Sequence, residues 1–334
     1  MKILFVHQRL STFVKIDLEI LSENHTVHSI YFNGLKDIFD LWRKVIWCDI
    51  TYSWFCSTHA FVTVLLSKIL GKKSFVVAGG YDVANAPDIK HGVYYGSTLT
   101  RKIKQALSML TFKMVDLVLG VSKYNVEEAI KNARVSPNKI RLVYNGFDYN
   151  KFYSINTIRK EPIVLTVGDI SSSTSFRKGH DLFVNCAAYL PDIQFVIVGN
   201  VFDDYAFCLK NSAPENVLFL GEILNEKLPE LFRRSKVYVQ TSRHESFGCA
   251  VAEAMLCECV PVVSRRTALP EVVGDCGFYV DELTPEAVAN KIKEALATNE
   301  DMGKKARKRI IENFPREKRK NELMELIETL PGTT

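Results

Sequence analysis

The 334-residue chain has no long uninterrupted hydrophobic segment. A typical apolar run, residues 60–66, ends at Ser67 and Lys68, whereas a helix needs about 20 apolar residues to span a bilayer. Residues 1–7 carry one charge and no small-residue cleavage site, which is typical of a first strand and not of a signal peptide. We therefore expect a cytoplasmic protein.

Glycine and proline are also scarce, with 17 and 11 residues, which excludes collagen-like and low-complexity chains. The charge excess is small, since 43 Lys and Arg stand against 38 Asp and Glu, a net charge of +5. This charge is compatible with an anionic ligand or a membrane surface, and it does not predict a nucleic-acid partner. A hydrophobic content of 47% indicates a globular protein, and the length suggests two domains.

The eight cysteines do not follow a metal-binding pattern. Only Cys257 and Cys259 are close together, and no second pair or histidine cluster completes a set of four ligands. Asp203 and Asp204 are similar to metal-binding carboxylate pairs, but they lie where a loop meets a predicted helix, so helix capping is the better interpretation. We predict buried free thiols, no metal and no bound cofactor.

Short apolar segments alternate with helical patterns along both halves of the chain. The predicted strands are residues 2–7, 25–32, 49–54, 73–78, 116–121 and 139–144 in the first half, and 161–167, 193–199, 217–220, 237–240 and 260–263 in the second. Continuous apolar strands between helices are typical of parallel sheets that are covered on both faces. The sequence therefore predicts an α/β protein with two Rossmann-like, doubly wound domains.

Turn-forming residues concentrate between positions 145 and 160, which predicts a linker. We expect a first domain over residues 1–155 and a second over 156–314, with a C-terminal helix over 315–334 that packs back on the first domain. Ligands of such sheets bind at the carboxyl ends of the strands. Two such edges facing each other would form a cleft between the domains.

The segment 242–255 follows a predicted strand and opens a helix over residues 247–256, with Ser246 or Gly248 as its N-cap. The backbone amides of Gly248, Cys249 and Ala250, together with the positive end of the helix dipole, create an anion site. Gly248 allows a ligand to approach the backbone closely.

Glu245 and Glu253 flank this helix start at a distance of roughly 10 Å. A diphosphate on the amides would place a sugar hydroxyl at one carboxylate and a ribose diol at the other. The alternative is that Glu253 is a solvated helix residue and Glu245 a residue that stabilises the helix dipole.

A second polar segment, residues 167–180, leaves the first strand of the second half. Its serines and threonine predict a mobile loop, and a helix is predicted over 178–190. Arg177 and Lys178 would then lie at a helix start, where the dipole disfavours cations and a bound phosphate would compensate. A solvated basic turn is the alternative interpretation.

Taken together, these motifs resemble the retaining glycosyltransferases of family 4, which have the GT-B fold. The resemblance is carried in chain order by residues 145–148 (Asn-Gly-Phe-Asp), 177–179 (Arg-Lys-Gly), 245–253 (Glu, seven residues, Glu), 260–263 and 269–277, and it extends from about residue 116 to the C-terminus. It implies transfer of a sugar from a nucleotide donor, with retention of the anomeric configuration and without a metal.

The resemblance also implies roles for individual residues. Lys178, with Arg177 beside it, would hold the donor diphosphate, Glu245 would lie near the transferred sugar, and Glu253 would bind the nucleotide ribose. Lys178, Arg177 and Glu245 are thus the expected catalytic residues. The full donor-binding set is Arg177, Lys178, Glu245, Ser246, Phe247, Gly248, Cys249, Ala250 and Glu253. Asp169 departs from the family, which often has arginine there.

In the first half, residues 79–82 leave a strand and resemble the family's Gly-x-Asp turn. Asp82 would bind an acceptor hydroxyl or, alternatively, stabilise its own turn. His91 follows in a Gly- and Tyr-rich loop and is the other acceptor-side candidate.

The sequence therefore predicts a hexosyltransferase-type enzyme that uses a nucleoside diphosphate sugar and a glycan, lipid-linked or small-molecule acceptor. A sugar-nucleotide epimerase of similar fold, or a catalytically inactive nucleotide-sugar-binding protein, remains the alternative. The basic segments 101–117 and 304–320 raise the further alternative of peripheral contact with an anionic inner membrane face, although solvated helix faces are the simpler interpretation.

Overall fold

The structure is a computed structural model that describes residues 1–155, 159–224 and 226–329. By contacts, the chain divides into unit 1, Met1–Gly146 with Arg316–Thr334, and unit 2, Phe147–Pro315. The division falls after Gly146 and not after residue 155, because Phe147 and Phe152 pack against aromatic side chains of unit 2. Residues 156–158 of the predicted linker and 330–334 of the predicted C-terminal helix lie outside the described residues.

Unit 1 contains a six-stranded sheet of parallel strands in the order β2-β1-β3-β4-β5-β6. Its strands are β1 Lys2–His7, β2 Thr26–Tyr31, β3 Ile50–Trp54, β4 Lys73–Ala78, β5 Leu117–Gly120 and β6 Ile140–Leu142. The helices between them are α1 Thr12–Asn24, α2 Ile38–Trp47, α3 Thr58–Ile69, α4 Leu99–Met114 and α5 Lys123–Ala133. All residues of β3 and β5 are buried, as expected for strands that are covered on both faces.

Unit 2 contains a second parallel six-stranded sheet, with the order β12-β11-β10-β7-β8-β9. Its strands are β7 Glu161–Val167, β8 Gln194–Val198, β9 Val217–Gly221, β10 Ser235–Gln240, β11 Val260–Ser264 and β12 Phe278–Val280. Its helices are α6 Ser172–Lys178, α7 His180–Cys186, α8 Asp204–Asn211, α9 Leu228–Arg234, α10 Cys249–Leu256, α11 Leu269–Val273, α12 Pro285–Leu296 and α13 Glu300–Asn313. The sequence predicts both doubly wound sheets, but it does not predict the strand β12.

The last helix, α14 Arg316–Glu328, belongs to unit 1 and contacts α1. Arg319 of α14 is 1% exposed and forms a bidentate ion pair with Asp17 of α1, which is fully buried. Asp17 also accepts hydrogen bonds from the Tyr52 hydroxyl and the Trp54 indole N–H, at 2.7 and 2.8 Å. This paired charge ties the C-terminal helix to the core of unit 1.

The strand order of unit 2 reverses between β7 and β10. From β7 the chain proceeds through β8 to β9 on one side, and from β10 it proceeds through β11 to β12 on the other. Because crossovers between parallel strands are right-handed, the helices that follow β7 and β10 lie on opposite faces of the sheet. Such a reversal opens a crevice at the carboxyl ends of the two strands, where α/β proteins bind ligands.

Candidate functional site

Two polar segments emerge at the reversal point of unit 2. One runs from the end of β7 through α6 to Gly179, and the other runs from the end of β10 to Gly248 at the start of α10. Because β7 and β10 are paired neighbours in the sheet, their carboxyl ends lie side by side. The sequence-predicted residues 177–178 and 245–250 are therefore brought to one place.

Lys178 and Glu245 form the charged centre of this site. The Lys178 Nζ lies 3.7 Å from the Glu245 Oε2, and the two side chains are 22% and 16% exposed. The Gln240 amide donates to the same carboxylate oxygen at 2.7 Å and fixes its orientation. Burial raises the pKa of Glu245, but the positive charges of Lys178 and Arg177 outweigh burial, and the net pKa is lowered. Glu245 is therefore an anion at neutral pH.

The segment that carries the cations is held against the β10 loop by backbone contacts. The Arg243 amide donates to the Arg177 carbonyl at 2.7 Å, and the Thr241 hydroxyl donates to the Gly179 carbonyl at 3.3 Å. Gly179 has a φ of 79°, and a Cβ there would lie 2.6 Å from the Thr241 carbonyl oxygen. Only glycine fits this close approach, so Gly179 fixes where Lys178 lies.

Two predictions about this segment are wrong. The serine-rich stretch is not a loop but the helix α6, because Ser171 and Thr174 form a reciprocal capping box at its start. The predicted helix over 178–190 is split at Gly179, so Arg177 and Lys178 lie in the last turn of α6. The dipole favours cations there, and no bound phosphate is needed to compensate for a penalty.

The start of α10 is built on Gly248, the N-cap, which has a φ of 103°. The first backbone hydrogen bond of this turn runs from the Ala252 amide to the Gly248 carbonyl. The amides of Ala250 and Val251 precede that bond and have no acceptor within the helix. The first turn therefore presents N–H donors at the positive end of the dipole, as the sequence predicts.

The remaining donor-side candidates lie around this turn. Ser246, Cys249 and Ala250 are partly exposed. Phe247 precedes the helix and does not belong to it, and its buried ring packs against Phe147 and Phe314 with centroids 5.7 and 5.4 Å apart. Its side chain is thus part of the hydrophobic core, and only its backbone remains a candidate contact.

Glu253 lies on the second turn of α10 and is 6% exposed. It is therefore not a solvated helix residue. Its neighbours on α10, including Val251, Ala254 and Met255, are also buried. A carboxylate in such a position needs polar partners, whereas a surface glutamate does not.

His180 is a candidate that sequence reasoning missed. Its side chain is 1% exposed, and neither ring nitrogen has a hydrogen-bond partner among the described residues. Burial, with a contribution from the charges of Lys178 and Arg177, lowers the pKa of His180 to about 3. A Cβ on Gly168 at the end of β7 would lie 3.2 Å from His180 Nε2. A neutral imidazole therefore lies beside the carboxyl end of β7, and its position as the first residue of α7 gave no sequence signal.

The acceptor-side candidates Asp82 and His91 lie in unit 1, and Asp82 lines a cavity of about 450 Å³, whereas His91 does not. Asp82 is 3% exposed and accepts hydrogen bonds from the amides of Cys56 and Gly80, both at 2.7 Å, and from Gly79 at 3.3 Å. Its carboxylate therefore stabilises its own turn, which favours the alternative interpretation. Burial raises the pKa of Asp82. His91 pairs with Ala86 through backbone hydrogen bonds, and its ring contacts Tyr81 edge-on at 5.2 Å.

The cavity itself lies at the carboxyl ends of β1, β3 and β4. It is lined by Phe55, Tyr81, Val93 and Leu107, with Arg9 and Lys104 as its cationic residues. Its walls are therefore mainly apolar and its charged groups mainly positive.

Asp203 caps α8, since its Oδ1 accepts from the Ala206 amide at 3.0 Å and its Oδ2 from the Ser172 amide at 2.7 Å. The capping interpretation of this residue is confirmed. Within residues 1–155, 159–224 and 226–329, no three His, Cys, Asp or Glu side chains are grouped as metal ligands. In the same residues, no helix has the length and the hydropathy to cross a bilayer.

Comparison with known proteins identifies the family. Glycosyl transferases group 1 matches residues 150–316, half of the chain. An uncharacterized 41.2 kDa protein from the cps region of Klebsiella pneumoniae is 31% identical over 187 residues, 52% of this chain and 50% of that protein. The Campylobacter jejuni N-acetylgalactosamine-N,N'-diacetylbacillosaminyl-diphospho-undecaprenol 4-alpha-N-acetylgalactosaminyltransferase is 24% identical over 222 residues, 64% of this chain and 58% of that protein. The chain thus spans about half the length of these curated relatives.

The fold is shared with solved structures. The crystal structure of Anabaena HepE in complex with UDP-glucose superposes with a TM-score of 0.82 and 17% identity, covering 99% of this chain and 100% of that chain. This likeness shows the GT-B fold. The family match covers the second sheet together with Lys178 and Glu245. Because the match extends over half of the chain, the protein belongs to the glycosyl transferases group 1 family.

Proposed function

We propose that the protein is a retaining, hexosyltransferase-type enzyme that moves a sugar from a nucleoside diphosphate sugar to a glycan, lipid-linked or small-molecule acceptor. The observation that carries the proposal is the arrangement of Lys178, Arg177 and Glu245 at the point where the strand order of unit 2 reverses. A cation pair, helix amides and an oriented carboxylate meet there, and these are the groups that a sugar diphosphate requires.

In the proposed complex, the diphosphate lies between the Lys178 ammonium and the amides at the start of α10. Lys178 suits this role, because its only partner among the described residues is Glu245 at 3.7 Å, which is beyond hydrogen-bond distance. The ammonium retains its three N–H donors for phosphate oxygens. Arg177 lies beside it, and Glu253 would accept from the ribose hydroxyls.

Catalysis would come from positioning and from stabilisation of the departing diphosphate by Lys178, Arg177 and the amides. Glu245, held as an anion by the neighbouring cations, would contact the sugar as positive charge develops at its anomeric carbon. Retention is accounted for by attack from the face of the leaving group, with a donor phosphate oxygen taking the acceptor proton. This scheme needs neither an enzymic base nor a metal ion.

UDP sugars are the first donors to test, because the Anabaena HepE structure holds UDP-glucose. The cavity of unit 1 is the proposed acceptor site, since it lies at the carboxyl ends of three strands. We further place the enzyme in the cytoplasm, because all eight cysteines are free, as expected in a reducing compartment.

The experiment has a binding arm and a turnover arm. UDP, GDP and ADP sugars are screened by thermal shift, where a donor at 100 times its dissociation constant should add about 2.7 kcal/mol of stability. Release of the nucleoside diphosphate is then measured with candidate acceptors, with and without excess EDTA. We expect one donor to bind and turnover to survive EDTA.

The matched variants are Lys178→Ala and, as a control, Lys210→Ala, an exposed lysine in the last turn of α8. Only the first should lower donor binding. Binding without any transfer would indicate an inactive nucleotide-sugar-binding protein, and a changed free sugar nucleotide in the absence of an acceptor would indicate an epimerase. Loss of turnover in EDTA that Mn²⁺ or Mg²⁺ restores would refute the metal-free scheme.

A further inference from the structure

Three neighbouring helices of unit 1 expose large apolar side chains to solvent. The residues are Phe39, Trp42 and Ile46 on α2, Leu65 and Ile69 on α3, and Leu99, Ile103 and Leu110 on α4. Phe39, Ile69 and Leu99 are 66%, 70% and 76% exposed. On α2 the spacing of three and four residues aligns the side chains as one stripe along the helix.

The three helices form one continuous surface. In the strand order β2-β1-β3-β4-β5, the crossovers that contain α2, α3 and α4 all proceed in the same direction. Right-handed crossovers place such helices on the same face of the sheet, and α3 contacts both α2 and α4. We call the solvent-exposed side of α2, α3 and α4 the basic helix face.

This face also carries an excess of positive charge. Helices α2, α3 and α4 contain seven Lys and Arg residues and a single acidic residue, Asp40. Lys44 pairs with Asp40 at 2.9 Å, and Lys68 pairs with Asp116 at 3.6 Å. Among the described residues, the other five cations have no carboxylate within 4 Å: Arg43, Arg101, Lys102, Lys104 and Lys113. Arg101 is held by the backbone carbonyls of Gly92 and Tyr95.

The next helix on the same side of the sheet shows that the pattern is local. Helix α5 has two lysines, two glutamates and one apolar side chain at the limit of exposure, Ile130 at 36%. Helix α5 therefore lacks the combination of several exposed apolar side chains and an excess of cations that α2, α3 and α4 present together.

We propose that the basic helix face binds the surface of an anionic lipid bilayer. Aromatic and branched apolar side chains enter the boundary between headgroups and acyl chains, and the flanking cations contact anionic headgroups. An acidic protein surface would match the charges but would leave Phe39, Ile69 and Leu99 without an apolar counterpart. The inference does not depend on the proposed transferase activity.

The position of the acceptor cavity gives this surface a functional consequence. Lys104 and Leu107 of α4 line that cavity, so the helix that contacts lipid also forms a wall of the proposed acceptor site. Bilayer binding would place the cavity next to the lipid surface.

The test measures co-sedimentation of the full chain, without donor, with vesicles of phosphatidylcholine alone or with 30% phosphatidylglycerol. We expect binding to the anionic vesicles and at least tenfold weaker binding to the neutral ones. One Lys or Arg near an anionic surface contributes about a fivefold change in partitioning. The triple variant Arg43→Glu, Lys102→Glu, Lys113→Glu should therefore bind about a hundredfold less.

The matched control is Lys210→Glu, Lys227→Glu, Lys293→Glu, three exposed lysines of unit 2. It makes the same change in net charge and should retain binding. Melting temperatures of both variants are measured first, and since all six residues are on the surface, they should stay close to that of the wild type.

A spectroscopic arm tests the apolar contact. Trp42 is 42% exposed, and its emission should shift to shorter wavelength on anionic vesicles. The variant Trp42→Phe should lose most of the shift and keep most of the binding. Absence of wild-type binding, equal binding to neutral vesicles, equal losses in both triple variants, or an unchanged Trp42 emission would each overturn the proposal.

Discussion

The buried ion pair of unit 1 and the ion pair of unit 2 differ in how completely their polar atoms are satisfied. Asp17 and Arg319 form a buried, bidentate ion pair. Asp17 also accepts hydrogen bonds from Tyr52 and Trp54, and Arg319 also donates to the carbonyls of Val143 and Tyr144. Lys178 and Glu245 lie 3.7 Å apart and remain 22% and 16% exposed. A fully satisfied pair holds a helix in place, whereas an open pair has donors and acceptors left for a ligand.

The two units also differ in charge. Unit 1 contains 23 Lys and Arg against 15 Asp and Glu, a net charge of +8, whereas unit 2 contains 20 against 23, a net charge of −3. The excess of unit 1 is concentrated on the basic helix face, away from Asp17 and Arg319. Unit 2 is acidic overall, and Arg177 and Lys178 are two adjacent cations within it.

The largest expected effect is on the structural pair. Arg319→Met leaves the Asp17 carboxylate buried without its cation and should lower the free energy of unfolding of unit 1 by about 3–5 kcal/mol. All three tryptophans, at positions 42, 47 and 54, belong to unit 1, so urea unfolding followed by tryptophan fluorescence reports on this unit.

The control for this prediction is Lys15→Met, which removes an exposed ion pair with Glu19 in the same unit. It should leave the unfolding midpoint nearly unchanged. Equal midpoints for wild type and Arg319→Met would show that the buried pair contributes nothing to unit 1.

A second prediction concerns His180 and acid stability. Its pKa is lowered to about 3 in the folded chain, so the unfolded state, with an ordinary pKa near 6.5, takes up a proton first. Stability should therefore fall as pH decreases from about 6.5, by roughly 1.4 kcal/mol per pH unit for this group. Calorimetric melting at pH 6.5 and 4.5 should show a loss that is about 2 kcal/mol smaller in His180→Leu, because the unfolded histidine is already half protonated at pH 6.5.

His28→Phe serves as the control variant, because it replaces a histidine that is exposed on β2. An equally steep acid loss in His180→Leu would mean that His180 is protonated within the folded protein.

Third, the open pair of unit 2 should act on ligands and not on folding. Lys178→Ala and Arg177→Ala should each weaken nucleoside diphosphate binding by about 1.5–3 kcal/mol, and nucleoside binding should change little. Titration calorimetry with UDP and uridine measures both affinities. A parallel fall of the two affinities would mean that these residues do not contact phosphate.

The smallest effects should separate the two glutamates. Glu253→Gln should weaken donor and free nucleotide alike, by about 1–3 kcal/mol. Glu245→Gln should spare nucleoside diphosphate binding and lower turnover with the intact donor, because its contact matters where charge develops. Glu286→Gln, an exposed residue at the start of α12, is the control. Small and equal kinetic effects at both positions would place the donor elsewhere.

Most of the strands could be predicted from sequence, because a parallel strand that is buried on both faces is a continuous apolar run. β1, β4 and β7 begin and end where the pattern predicts. The three-residue strand β12 was not predicted, because it is too short to show such a run. Helix α6 was also missed, because its serines favour a loop by propensity and its stability depends on the capping box of Ser171 and Thr174.

The chain order of residues by itself determined the two doubly wound sheets, the start of α10 at Ser246 or Gly248, and Lys178 and Glu245 as separate candidates, because these depend on local patterns. Only the tertiary structure brought Lys178 and Glu245 together. Only the tertiary structure decided that Asp82 accepts hydrogen bonds from backbone amides and that Arg319 neutralises Asp17. It also decided that the His180 ring is buried without a hydrogen-bond partner among the described residues, and that α2, α3 and α4 form one basic surface. Each of these depends on contacts between residues distant in sequence, or on burial of a side chain, and neither leaves a periodic signal in the chain.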